Sequence, residues 1–509
     1  MDAVLPGASR LRNPPAWPPD TFAIAATVLA RSGGYVSIVE RKLKADWPRK
    51  IRAVGKNWRR NTEASDRLPV TLTAAWLQLT RERDLPVAKI IDNHQVCSAL
   101  LELVCAADEA SVGIGVVDPG AKVDDFELKW PEVLYANKGK TLCRVVNPDR
   151  VVVLPKLHTP RSGITLRSLT HNLALYEPGE VGARWHVFPR FTDHTDLKIL
   201  LLPWPLKIAS SAFRRSNGTK ISMPEKFGFF TCNVRPKTDE LMARVQKVVE
   251  AARKVSGRVD AIVFPEAALV GDEYFEISKK TDTLVIAGVG RPAGDDSGRN
   301  EAAVAIPAGG AAHFTWKQSK HHRWRVDKSQ IGQYGLGKIL DAEREWWEDI
   351  RLEPRRLNFL SMNPWLTLSV LICEDLARMD PVTELVRSVG PTLVVALLLD
   401  GPQLAQRWPA RYATVLADDP GTSVLTLTSA GMVDLSRPVG MTKKRSPRVI
   451  ALWKDAKHPT REISLDLGAD GVLLEIGSEK VPEWTADGRD DGGTTAFLIY
   501  KDTKQIRAK

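Results

Sequence analysis

Three short segments of this chain each carry a reactive side chain: an acid and a thiol where apolar runs stop, and a cation shortly after an aromatic-rich stretch. Val263-Phe264-Pro265-Glu266 ends in a carboxylate, which can take or give a proton. Trp316-Lys317-Gln318-Ser319-Lys320-His321-His322 offers an ammonium, which can hold a developing negative charge. Ser369-Val370-Leu371-Ile372-Cys373-Glu374-Asp375 ends in a thiol, a nucleophile once deprotonated. A thiol of ordinary pKa, about 8.5, stays mostly protonated at neutral pH and needs a base beside it. Each residue also has a plainer reading. Glu266 could cap a helix, Lys320 could be a surface charge in a basic patch, and Cys373 could be a buried structural thiol. The ordered set of acid, cation and thiol carries more weight than any member.

These groups need strands to position them, because open α/β sheets gather their chemistry at the carboxyl ends of buried strands. Strands are expected at Ala261–Phe264, Leu284–Gly288, Ala303–Ile306, Leu366–Ile372, Thr392–Leu397 and Ser423–Thr428. Phe227–Thr231, a helix over Lys237–Lys254 and the strand ending at Glu266 read as a right-handed crossover with parallel pairing. Further helices are expected at Asp341–Asp349, Pro381–Val389 and Arg407–Ala417. Upstream, apolar residues at three- and four-residue steps predict helices through Phe22–Leu29, Leu72–Leu79 and Val87–Val104. Strands are also expected at Val151–Leu154, Leu173–Tyr176 and Leu197–Leu202, and Arg214–Lys226 reads as a loop. The chain thus divides into a mainly helical basic region (1–110), a strand-rich connecting region (111–225), and an α/β domain (226–505) against which the connecting region packs.

With these residues in place, the sequence resembles the nitrilase superfamily of carbon–nitrogen hydrolases. That family presents a glutamate after a Phe-Pro strand end, a lysine in a Lys-x-His context and a cysteine in an Ile-Cys-x-Asp context. Here they stand in the same order as Glu266, Lys320 and Cys373. Arg407–Gly431 is similar to the family's distal stretch, and the likeness runs weakly through Arg448–Ile476. The resemblance implies a four-layer αββα sandwich and a Glu-Lys-Cys triad cleaving an amide or nitrile through a thioester. Glu266 is then the general base, Cys373 the nucleophile, and Lys320 with the backbone N–H of Glu374 the oxyanion donors. It also implies a homo-oligomer and no metal or organic cofactor. Acyl transfer to a small amine stays open. Lys320 and Cys373 lie 53 positions apart (373 − 320), longer than expected of a compact member. The interval holds three candidates for a second active-site carboxylate, Glu343, Glu345 and Glu348. Lys317 rivals Lys320, although the Lys-x-His pattern favours Lys320.

Composition frames this reading. With 43% hydrophobic and 26% charged residues, the chain fits an ordinary globular protein. Apolar stretches such as Thr392–Leu399 fall far short of the roughly 18 residues a membrane span needs. No basic segment leads into an apolar core at the start, so no secretory leader is expected. Five cysteines, none in a CxxC pair, point to reduced thiols in a cytoplasm. The formal charge of +11 is concentrated early. Residues 41–60 interleave basic side chains with Trp47 and Trp58, a pattern that suits phosphates and stacked bases or, more plainly, a solvated helix face. This supports a second reading, in which a nitrilase-like binding or sensing module carries a nucleic-acid-binding N-terminal region. Leu201–Pro205 is similar to a stretch in nitrilase-like domains of bacterial anti-phage systems, which gives that reading a context. Ser32–Ser37 looks like the loop of ATP-pyrophosphatase domains, but Val36 replaces its Asp and a helix precedes it. His321-His322 lacks a third metal ligand at useful spacing, and Asp418-Asp419 lacks the aromatic of a polymerase pair.

Overall fold

A strand buried on both faces is built mainly from apolar residues with few, small polar ones, and Leu366–Ile372, Leu393–Leu398 and Ser423–Thr428 are buried along their whole length. The computed structural model describes residues 1–37, 43–64, 68–118, 120, 124–161, 163–188, 191–216, 224–234, 241–291, 298–308, 313–378, 382–436, 448–493 and 495–508. The three strands pair in parallel, with Leu368 opposite Leu393 and Leu393 opposite Ser423. Arg355–Asn363 and Val181–Val187 extend them on one side, and Val449–Lys454 and Arg461–Ser464 on the other. This is sheet I. Sheet II runs His313–Ser319, Glu301–Pro307, Leu284–Gly290, Ala261–Val263, Asp196–Leu201, Gly471–Lys480 and Ala496–Ile506, with Leu269–Val270 beside Leu284–Gly290.

Alternation along the strands of sheet II decides what each face meets. Ile199, Leu201, Val263, Ile286 and Val304 share a core with Leu368, Val370, Ile372 and Val394 of sheet I. Leu200, Ile262, Val285 and Ala303 instead pack with Val245, Val248 and Ala252 of helix Leu241–Ser256 and Ile277 of helix Glu273–Thr281. The molecule is a mixed α/β protein whose two large sheets share one apolar core.

Three expectations change. Phe227–Cys232 does not pair with Ala261–Val263. It sits in a separate four-stranded sheet with Phe213–Ser216, Glu345–Glu348 and Arg325–Val326. The parallel neighbour of Ala261–Val263 on that side is Asp196–Leu201, another apolar run that serves equally well, so both large sheets draw strands from before residue 226. Next, the expected Asp341–Asp349 helix is in part the strand Glu345–Glu348, in which Trp346 and Glu348 turn inward and Glu345 and Trp347 are less buried. That period of two overrides the helical propensity of its glutamates. Last, the Arg214–Lys226 loop begins as strand Phe213–Ser216, antiparallel to Phe227–Cys232; residues 217–223 of it, like Pro381 of the expected Pro381–Val389 helix, lie outside the described residues.

Before residue 137 the described secondary structure is helical, as the periodicity predicts through residue 110, and Asp125–Ala136 adds a helix in the region expected to be strand-rich. Pro18–Ser32 begins with prolines at its first positions and stops at Gly33, whose φ is 67°. Because it is apolar nearly all round, it is enclosed by its neighbours. Ser32–Ser37 is therefore the end of a helix, not a nucleotide loop. His94–Ala110 starts at Asn93, whose side chain accepts the N–H groups of Gln95 and Val96. In the basic helix Trp47–Ala64, Trp58 is fully buried, and half-buried Trp47 donates its ring N–H to Asp487. Arg59 is engaged by Asp124 and Glu127. Trp58 thus presents no face on which a base could stack, and Trp47 is held against the protein. Among the described residues, no helix is long and apolar enough to cross a membrane.

A buried charge knot ties this helical region to the sheets. Arg489, with no exposed surface, contacts Glu109 (2.7 Å), Asp108 (3.2 Å) and Asp487 (2.8 Å) and donates to the carbonyl of Leu169 (2.5 Å). Asp108 also accepts the N–H groups of His171, Asn172 and Leu173. Removing one partner of such a cluster strands the others, so Arg489→Ala is expected to cost about 3–5 kcal/mol. A thermal scan would register it as an earlier melt.

Candidate active site

Glu266 follows the Ala261–Val263 strand of sheet II, and Phe264 continues the pairing by donating to the carbonyl of Ile286 (2.9 Å). The backbone then crosses over the neighbouring strand. Gly288 donates to the carbonyl of Pro265 (3.2 Å), and a Cβ at Gly288 would stand 2.3 Å from the Cα of Glu266. Only glycine allows that approach. Glu266 is 1% exposed. Its Oε1 accepts from Lys320 Nζ (2.7 Å) and Asn300 Nδ2 (2.8 Å), while its Oε2 has no hydrogen-bond partner among the described residues.

Lys320 lies just beyond the edge strand His313–Ser319, held by its N–H on the carbonyl of Asn300 (2.8 Å). Its ammonium bridges two carboxylates, Glu266 and Glu348, the latter at 2.6 Å. Asn300 Nδ2 spans the same pair, donating to Glu348 Oε1 at 2.8 Å, and the N–H of Trp324 reaches Glu348 Oε2 at 3.1 Å. Among the three glutamates left open by the sequence, Glu348 is therefore the one at this cluster. Glu343 and Glu345 pair with Lys328 and Arg325 at the surface. Lys317 points elsewhere, to Asp272.

Burial alone would lower the Lys320 pKa, but the two carboxylates outweigh it and hold the ammonium well above its ordinary range. Burial pushes Glu266 up; Lys320 opposes that, and the like charge of Glu348 adds to it.

Cys373 stands where Leu366–Ile372 of sheet I ends, 3% exposed, its N–H donated to the carbonyl of Leu397 on the adjacent parallel strand (2.9 Å). Its backbone has φ 44° and ψ −108°. That left-handed twist costs a non-glycine residue about 1–3 kcal/mol and persists only where the surroundings impose it, commonly at functional sites. The short helix Glu374–Ala377 begins directly afterwards. Burial raises the thiol pKa well above its ordinary value; Glu266 raises it further and Lys320 opposes, so acid, cation and sulfur share one electrostatic neighbourhood.

Asp375, fully buried, fixes how the two sheets present these groups. Its carboxylate accepts the N–H groups of His321 (3.1 Å) and His322 (3.0 Å) and contacts His322 Nδ1 (3.0 Å). The residue two after the thiol thus holds the two residues after the ammonium, which gives His321-His322 a positioning role. Sequence reasoning missed Asn300, Gly288 and this part played by Asp375. Gly288 sits in Leu284–Gly290, where glycine in a strand signals close backbone approach. Asn300 lies in an irregular stretch with no local signal. A second glycine of this kind is Gly431, whose N–H donates to the carbonyl of Pro205 (3.0 Å) and whose Cβ would meet Ile208 at 2.7 Å. It seats the Leu201–Pro205 stretch against helix Ala430–Leu435.

No family model matches the chain, and no curated protein does. Solved structures similar to it include members of the nitrilase superfamily. An amidase from Nesterenkonia sp. is 11% identical, with a TM-score of 0.31 over 55% of this chain and 89% of that one. Saccharomyces cerevisiae Nit3, described as a member of branch 10 of the nitrilase superfamily, is 12% identical, with a TM-score of 0.31 over 53% of this chain and 86% of its own. A glutamine-dependent NAD+ synthetase from Acinetobacter baumannii matches at 12% identity and a TM-score of 0.31, over 62% of this chain and 49% of its own.

Proposed function

We propose that the chain is a carbon–nitrogen hydrolase built on a four-layer αββα sandwich, in which Glu266, Lys320 and Cys373 open a small amide or nitrile through a thioester. One observation carries this reading: a buried carboxylate–ammonium–carboxylate cluster faces a cysteine held at positive φ on a strand end. A structural thiol would need neither the strain nor the ionic neighbours.

For an amide the steps follow from which atoms are engaged. Cys373 Sγ attacks the carbonyl carbon as its proton passes to Glu266 Oε2, the oxygen that Lys320 and Asn300 leave unoccupied. The carbonyl π electrons move to oxygen. Lys320 spends two of its three protons on Glu266 and Glu348 and turns the third to that oxyanion, with the Glu374 N–H as second donor. Collapse expels the nitrogen, which takes the proton from Glu266, and leaves the thioester. Glu266 then draws a proton from water as its oxygen adds to the thioester carbon. The second collapse releases the acid, and the sulfur recovers a proton from Glu266.

Mixing the protein with a panel of small amides and nitriles should release ammonia and, on rapid acid quench, show an acyl mass on the peptide containing Cys373. If no compound yields either signal, the reading is wrong. A pH dependence is expected as well. Glu266 must be ionised to accept the thiol proton, and its pKa lies above the ordinary carboxylate value. kcat/KM should therefore fall with acidification through a pH above about 4.5, not below it. Since the charge of Glu348 raises Glu266, the acidic limb should move to lower pH in Glu348→Gln, as measured by a kcat/KM profile on folded protein.

A further inference from the structure

The parallel strand beside Leu366–Ile372 is Leu393–Leu398, and two residues past its end stands Asp400. Cys373 is bound to this same strand end through Leu397, so the carboxylate of Asp400 and the thiol emerge next to each other. Asp400 is 6% exposed. Its backbone N–H is fixed on Thr428 Oγ1 (3.1 Å), and its Oδ1 accepts from Gly401 N–H (2.7 Å), the Tyr334 hydroxyl (2.9 Å) and Arg407 (3.0 Å). All three bonds fall on one oxygen. Oδ2, equally buried, has no partner among the described residues.

A buried carboxylate oxygen left without a donor is costly, so its presence beside a reactive thiol calls for a donor that arrives from outside. Aromatic side chains pack beside Asp400. Tyr334 meets Trp324 edge-on (5.8 Å, 89°), and Trp324 meets Phe230 the same way (5.5 Å, 83°). This aromatic run extends from the Trp324–Glu348 contact to Asp400. Aromatic groups next to a carboxylate form the usual surroundings of an organic cation. Glu266, Glu374 and Asp400 act on Cys373 against Lys320, with Arg378 paired to Glu374 and Arg407 to the other oxygen of Asp400.

From this we infer that Asp400 selects the substrate: the site takes amides or nitriles that carry an ammonium or comparable N–H-donating cation a few bonds from the scissile carbon, and discriminates against carboxylate-bearing ones. The inference rests on the hydrolase reading above and supplies its substrate class. Arg407 holds Oδ1 and leaves Oδ2 for the ligand.

The test uses three amides matched in length: 4-aminobutanamide, pentanamide and glutaric acid monoamide. With the wild-type protein, kcat/KM for the ammonium compound should exceed that of its methyl isostere by about tenfold or more, with the carboxylate compound slowest. In Asp400→Asn the ammonium-to-methyl ratio should collapse to within about threefold, mainly through KM. A wild-type preference for pentanamide or the monoamide, or an undiminished ratio in Asp400→Asn, overturns the role of Asp400 while the hydrolase reading stands. Silence toward all three, joined by failure of the wider panel to acylate Cys373, overturns both. The wild-type ratios decide the matter even if the variant does not fold, which a thermal scan would reveal.

Discussion

Cys373→Ala is expected to lower ammonia release from the best amide by at least ~10⁴-fold, because the thioester forms on its sulfur. A coupled ammonia assay with enzyme at micromolar concentration reaches that depth. The same position yields a second, opposite expectation. Alanine keeps the left-handed backbone strain of φ 44°, whereas glycine adopts that conformation without penalty. Cys373→Gly should therefore be as inactive as Cys373→Ala yet melt at a higher temperature, by a margin corresponding to about 1 kcal/mol. Retained activity in either variant would remove the cysteine from the chemistry. Equal melting of the two would show that the strain is absorbed elsewhere.

Lys320→Met should damage both stability and turnover. Two nearly sealed carboxylates, Glu266 and Glu348, would be left facing each other across Asn300 with no cation. Breaking a buried ionic group in this way costs about 3–5 kcal/mol. Turnover should fall by a further ~10²–10³-fold in the folded fraction, the usual loss when an oxyanion donor is removed. The two effects separate in the double variant Lys320→Met/Glu348→Gln. Removing one carboxylate relieves the repulsion, so the melt should recover in part, while activity stays lost because the ammonium is still missing. If restoring stability also restored ammonia release, Lys320 would be structural only.

Glu266 and Cys373 are legible because each ends an apolar run, whereas Lys320 follows the largely polar edge strand His313–Ser319 and is legible through its Lys-x-His context. Their surroundings are not. Glu348 cannot be told from Glu343 and Glu345 by sequence, because the choice depends on which residues of Glu345–Glu348 turn inward, and that stretch reads as helix until its partner strand Phe227–Cys232 is known. The crossover is drawn to Phe227–Thr231 instead of Asp196–Leu201 for a related reason. Both are short apolar runs, and local sequence carries no record of which one lies beside Ala261–Val263. Trp47 and Trp58 are ambiguous since a basic amphipathic helix looks the same whether its rings face a core or a ligand; here Trp58 is buried. Asp400 goes unremarked because a single aspartate after a strand resembles any turn residue until its hydrogen bonds can be apportioned between two oxygens.

Asp196–Leu201 lies in the interior of sheet II, joined to Ala261–Val263 on one side and to Gly471–Lys480 on the other. During synthesis, its first edge can be covered some sixty residues later, but its second must wait for more than half the chain to emerge. Contacts of such span form slowly and leave an apolar strand edge bare in the meantime. Glu266, Lys320 and Cys373 are all translated before that edge closes, so a ribosome-bound intermediate holds all three without the finished scaffold that aligns them. Competence should arrive late and all at once, and in vivo yield should depend on whatever shields that edge until then.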